Sequence, residues 1–386
     1  MRDIHSKGRI QSLHIFQFLK DGGLFVLCFL LVIVFFTSIN LYEFVFDREP
    51  DGHIKGLERL ELSEDHAVNA WGALQKLMGK KVANGSTVYE DVTLLKNGAV
   101  TMADHYPDVS PAKEAVTDAE EFASSISADF LYVQAPGKEE TPLDLPYGAV
   151  SYGPAKAEEM TAFVRREGIE NISIKELLTS DGEDWYSYFY RTDHHMRNRA
   201  AYLTAGAVLE KINGENTLSE DGFEKITYKD IFLGTQGRMT GRYYAGLDDY
   251  ELWLPKEEGH YSLEVPSEGI YREGTFKEAF LYEENLSHYS FDWYAYYAYL
   301  HQDYKHMILK NEDKPEGKRA VIIRDSTAVP VSVFMITECG RIDLIDLRYT
   351  DASEDVYGLI EDISPDIIIY MFGPGYLGVK SAVQLH

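Results

Sequence analysis

The chain has 386 residues, with 37 Lys and Arg against 63 Asp and Glu, a formal net charge of −26. That balance excludes a nucleic-acid binder, which needs a basic footprint, and makes electrostatic attachment to anionic lipid untenable. The two cysteines, Cys28 and Cys339, are too few for a disulfide framework or a Cys-rich zinc site, and 45% hydrophobic residues exclude wholesale disorder.

In chain order, residues 1–21 form a short basic N-terminus carrying Arg2, Lys7, Arg9 and Lys20. Residues 22–42 hold no charge and include the run Leu24–Phe36, long enough with its flanks to cross about 30 Å of hydrocarbon. Basic residues precede the run and acidic ones follow it, which predicts a single-pass cell-membrane protein with a cytoplasmic N-terminus and an extracytoplasmic bulk. The run ends Thr37-Ser38-Ile39-Asn40-Leu41-Tyr42, a poor match to the small-residue site of a cleaved signal peptide, so an uncleaved anchor is expected. Residues 43–90 read as a stalk with a helix around His66–Leu77.

Residues 91–386 read as one extracytoplasmic α/β domain. Apolar strands are predicted at Phe130–Pro136, Ala320–Ser326, Ile342–Tyr349 and Asp366–Phe372. Helices are predicted at Gly153–Gly168, Asn198–Ile212, Val329–Glu338 and Ser353–Ile363. Strands alternating with helices predict a parallel sheet flanked by helices. Residues 221–278, rich in Gly, Tyr and Glu, read as an insertion of hairpins and loops.

Nucleophile-elbow, metalloprotease and phosphate-loop fingerprints are missing. Two stretches remain. In Arg191-Thr192-Asp193-His194-His195-Met196, an extended backbone would put Asp193 and His195 on one side, where a carboxylate can orient an imidazole. A structural His pair or a zinc site built on the same residues is the competing reading. In Ile322-Ile323-Arg324-Asp325-Ser326-Thr327, a strand leads through a small polar residue into a helix. Ser326 therefore sits at a strand's carboxyl end, where open α/β sheets place ligands; a plain helix cap is the alternative.

TDHHMRNRAAYLTAGAVLEKI, FLGTQGRMTGRYYAG (Phe232–Gly246) and AVIIRDST…IDLIDLRY occur in the order of the DHHW family, and the chain resembles that family, of the AlgX/AlgJ polysaccharide O-acetylation type, over roughly Asn97–Leu377. The resemblance implies an SGNH-hydrolase-like fold, with Ser326 as nucleophile, His195 as base and Asp193 as its orienting acid. It implies a polysaccharide acceptor, a polytopic membrane acyltransferase as acyl source, and no cofactor or metal. An acetylesterase acting on surface glycan, or a catalytically silent glycan-binding or assembly protein, are the rival functions. Met196 stands where the family has Trp, a change expected to alter sugar contact, and Arg197 where Thr is frequent. Leu300-His301-Gln302-Asp303-Tyr304 occupies the place of a Gly-Gly-Asn stretch, which leaves the oxyanion donors to the N–H groups of Ser326 or Thr327, with Gly234 and Thr235 as further choices. Asp325 is expected to hold the turn by hydrogen bonding, and His194 to orient the loop. Phe291, Tyr294, Ala295 and Ala298 are expected to form a core stripe. Trp253 and Trp293 are candidate sugar-stacking rings, and Arg238 and Arg242 are read as a solvated face.

Overall fold

The computed structural model describes residues 30, 31, 34, 64–84, 91–289, 294–351 and 353–386. The chain divides into two compact units, residues 1–71 and 72–386. In the first, Leu30, Leu31 and Val34 are helical and exposed; the rest of the expected anchor, 22–42, lies outside the described residues. Among the described residues no helix is long and apolar enough to cross a membrane. The expected helix near residue 66 runs Glu64–Leu77.

The larger unit opens with a three-stranded antiparallel sheet, β1 (Val82–Asn84), β2 (Asp91–Leu94) and β3 (Val100–Met102). The main sheet has eight strands: β4 (Asp129–Gln134), β5 (Asn171–Ser173), β8 (Tyr261–Val265), β9 (Ile270–Gly274), β10 (His306–Asn311), β11 (Arg319–Arg324), β12 (Arg341–Ile345) and β13 (Ile367–Phe372). Their order is β5-β4-β13-β11-β12-β10-β8-β9. Strands β6 (Phe223–Phe232) and β7 (Asp248–Pro255) form a separate antiparallel ribbon.

The five strands from β5 to β12 pair in parallel, as the apolar runs and intervening helices predict. The wholly parallel sheet does not hold, because β12–β10, β10–β8 and β8–β9 all pair antiparallel. For β8 and β9 the reason is connection length. Strands β8 and β9 are joined by a short turn through Gly269, at φ +64°, and a parallel neighbour would need a crossover of about a dozen residues.

Strand β11 is buried on both faces, which is why it reads as a continuous apolar run. Ala320 and Ile322 pack with the helices Asn198–Asn213 and Ala328–Met335 on one side. Val321 and Ile323 pack with Ser110–Ser125, Gly153–Arg166 and Val356–Ile363 on the other. This three-layer sandwich fixes β11 centrally and leaves only its carboxyl end free to present side chains. The expected strand to Tyr349 stops at Ile345, because the Asp346 side chain accepts from Arg348 N and turns the chain into a 3-10 turn.

Candidate active site

The stretch holding Asp193 is turned, not extended as the sequence pattern suggested. Asp193 Oδ1 accepts from the His195 backbone N–H at 2.9 Å, an Asx-type turn that folds the carboxylate back onto its own chain. The same oxygen meets His195 Nδ1 at 2.5 Å. A buried carboxylate from β7 clamps the loop from outside. Asp248 accepts from Arg191 N at 2.8 Å, Thr192 N and Thr192 Oγ1 at 2.7 Å each, and Arg197 at 2.9 Å. Arg197 also donates to Phe189 O, so the residue that departs from the family's Thr here closes the loop. Met196 is 4% exposed and packs in the core, so its exchange for Trp is a matter of packing, contrary to the expected effect on sugar contact.

Strand β11 ends at Arg324, and the turn Asp325–Thr327 leads into the helix Ala328–Met335. Ser326 does not cap that helix. Its Oγ lies 2.7 Å from His195 Nε2, across 131 residues of sequence. Asp193, His195 and Ser326 are all buried. Asp325 holds the turn, accepting from Thr327 N at 2.9 Å and Thr327 Oγ1 at 2.5 Å, and from Gly373 N beyond β13 at 2.6 Å. His194 keeps 44% of its side chain exposed, and its ring centroid lies 3.9 Å from that of His195.

Three of the N–H groups offered by sequence as oxyanion donors are committed elsewhere. Thr327 N donates to Asp325, Thr235 N to Asp193 Oδ2 at 2.6 Å, and Gly234 N to Thr192 Oγ1 at 2.9 Å. The glycine at 234 serves close approach instead: a Cβ there would stand 2.3 Å from Asp193 Cβ and 2.6 Å from Thr192 O. The Ser326 N–H, by contrast, meets no backbone acceptor among the described residues.

The sequence reading missed two hydroxyls. Tyr294 donates to Asp193 Oδ2, and Tyr296 stacks on the His195 ring at 3.7 Å and 17° while donating to Ser326 O at 2.7 Å. Tyr294 and Ala295 join the core as expected, but the phenol of Tyr294 works at the site; Phe291 and Trp293 lie outside the described residues. The only signal was tyrosine density in YAYYAY. Burial alone would raise the Asp193 carboxyl, but His195 and His194 beside it and hydrogen bonds from His195 and Tyr294 hold it well below the usual range. Burial pushes Lys138 down to about 8, against the pull of Asp193, Asp248 and Glu139, and its ammonium donates to Val100 O at 2.5 Å.

Other expectations change. Trp253 is buried in the core. Arg238 lies 4.4 Å over the Tyr294 ring, and Arg242 donates to Tyr289 and Tyr243, so neither belongs to a solvated face. The Leu300–Tyr304 segment, left-handed at Leu300 and His301, sends Asp303 to pair with Arg324 and Arg348 beneath the Ser326 turn.

Asp193, His194 and His195 bring potential metal-ligand atoms within 4.8 Å of one another. The lone pairs of Asp193 and His195 are spoken for, however. Asp193 Oδ1 takes two donors from His195, Oδ2 takes Thr235 N and Tyr294, and His195 Nε2 faces Ser326. The donor set suits an oriented imidazole rather than a cation.

Residues 143–314 match the profile of the family described as "SGNH hydrolase-like domain, acetyltransferase AlgX". The match contains Asp193 and His195 and ends before Ser326. No curated protein matches the sequence. Among solved structures, a DHHW family protein from Eubacterium siraeum is similar at TM-score 0.60 and 16% identity, over 79% of this chain and 99% of that one. Bacillus cereus PatB1 is similar at TM-score 0.60 and 15% identity, over 76% of this chain and 100% of that one. A second PatB1 structure, with a sulfonyl adduct, gives TM-score 0.59 at 15% identity, over 76% and 99%. Residues 143–314 are therefore similar to the SGNH hydrolase-like acetyltransferase domain of AlgX, and the chain shares its fold with a DHHW family protein.

Proposed function

We propose that this protein is a membrane-anchored, extracytoplasmic serine O-acetyltransferase that acetylates a cell-surface or exported polysaccharide. The observation that carries the reading is the relay from Asp193 through His195 to Ser326, with contacts of 2.5 and 2.7 Å. Ser326 Oγ attacks the acyl carbonyl while its proton passes to His195 Nε2. Asp193 keeps the imidazole in the tautomer that accepts there and stabilises the imidazolium. The oxyanion faces the Ser326 N–H. Return of the proton expels the donor's leaving group. A sugar hydroxyl then attacks the seryl ester, giving its proton to His195, and the ester passes to the sugar as Ser326 is regenerated. The similarity to the AlgX acetyltransferase domain supports acetyl as the acyl group, and the DHHW-type motifs of the sequence support polysaccharide as the acceptor.

Activated acetyl donors are cytoplasmic, so an extracytoplasmic enzyme needs a polytopic membrane partner to pass the acyl group across. The apolar run in residues 22–42 supports the anchor. The test is full-length protein with an acetyl ester donor, with and without glycan. Acetylated glycan formed by the wild type and not by Ser326→Ala supports the reading. Donor hydrolysis unaffected by glycan makes the protein an esterase. Glycan binding with an inert Ser326 makes it a binding protein.

A further inference from the structure

Tyr296 touches both halves of the proton relay. Its ring lies parallel to the His195 imidazole, 3.7 Å away and tilted by 17°, and its hydroxyl donates to the Ser326 carbonyl at 2.7 Å. It is buried, and burial raises its phenol well above the ordinary range, so the hydroxyl stays a donor at any working pH. A π face is negative at its centre, and a cation stacked on it is stabilised. The imidazole becomes a cation only when it has taken the serine proton. The ring therefore favours the state that follows proton transfer over the state that precedes it.

We propose that Tyr296 is the positioning residue of the pair, fixing His195 and Ser326 in register and favouring the imidazolium through its ring face. This role rests on Ser326 and His195 acting as proposed above. The other groups around the imidazole are Asp193 on Oδ1, which also favours the cation, the His194 ring at 3.9 Å, which opposes it when protonated, and the Tyr294 ring, edge-on at 6.5 Å. None of the three offers a parallel aromatic face to His195 at the closeness of Tyr296.

The test replaces Tyr296 in the full-length chain by phenylalanine and then by phenylalanines of increasing fluorination, which keep the shape and drain the π face. The probe is phenylmethanesulfonyl fluoride. Ser326 Oγ bonds to sulfur, fluoride leaves, and the serine proton goes to His195, so the reaction needs neither glycan nor acyl donor. The readout is the pH midpoint of the labelling rate at Ser326, followed by mass spectrometry with Ser326→Ala as the blank. Tyr296→Phe is expected to keep the wild-type midpoint. Full fluorination is expected to lower it by about half a unit to one unit, in steps that follow fluorine number. A midpoint that stays fixed across the series overturns the role of the ring. A wild-type chain that does not label at Ser326 overturns the nucleophile assignment itself, and this role with it.

Discussion

The Tyr294 hydroxyl donates to Asp193 Oδ2 across 101 residues of sequence, inside the protein. With Thr235 N on the same oxygen and two His195 donors on the other, the carboxylate has four partners and no freedom to rotate. A buried charge is tolerable only when so satisfied, and the satisfaction fixes where it points.

Asp193→Asn therefore removes the charge while keeping the volume, and it sets an amide against donors on both sides. Sulfonyl labelling of Ser326 is expected to slow by about 10³–10⁴-fold, because the imidazole loses its tautomer and its cation loses its counter-charge. Unchanged far-UV dichroism beside the lost labelling checks it, and near wild-type labelling would remove Asp193 from the relay.

Gly234→Ala forces a methyl within 2.6 Å of Thr192 O and against Asp193. The neighbours are backbone and a clamped side chain, so little can give. A loss of about 1–3 kcal/mol in urea unfolding is expected, with slower Ser326 labelling because Asp193 is the atom pushed. A stable, fully reactive variant would show the loop to be softer than its hydrogen bonds imply.

Acid should weaken the protein through Asp303. Burial would raise its carboxyl, but Arg324, Arg348 and the Tyr297 hydroxyl lower it to about 2 from an ordinary 3.8. A carboxyl depressed on folding adds stability that is fully present above the unfolded value. That contribution is lost as pH falls from about 4 through 2. The loss is about 2 kcal/mol. Unfolding free energies at pH 5, 4, 3 and 2 should fall over that window in the wild type, and the fall should shrink in Asp303→Asn.

Chelation separates the relay from a metal centre. Dialysis against EDTA is expected to leave Ser326 labelling unchanged, since every atom that could ligate at Asp193 and His195 already has a protein partner. Loss of labelling restored by zinc would assign Asp193, His194 and His195 to a metal instead.

Strands β4, β11, β12 and β13 and the helices between them were readable because a strand buried on both faces must be apolar at every position and an amphipathic helix repeats its apolar residues every three to four. The helix Asn198–Asn213 begins where the spacing puts it. The antiparallel half of the sheet was not readable. Strands β8 and β9 carry alternating and polar residues, and they join the sheet only because β10 lies beside β12.

Asp193, His195 and Ser326 could be named in advance because each sits in a local pattern, an acid two residues before a histidine and a serine between strand and helix. Their meeting, the commitment of Thr235 and Gly234 to other acceptors, and the parts played by Tyr294, Tyr296 and Asp248 depend on segments 30 to 131 residues apart being folded together. Hydrophobic period and turn chemistry act between near neighbours in the chain and leave their mark there. A hydrogen bond between distant residues leaves no local mark, because its partner is chosen by the packing of the sheet rather than by any residue nearby.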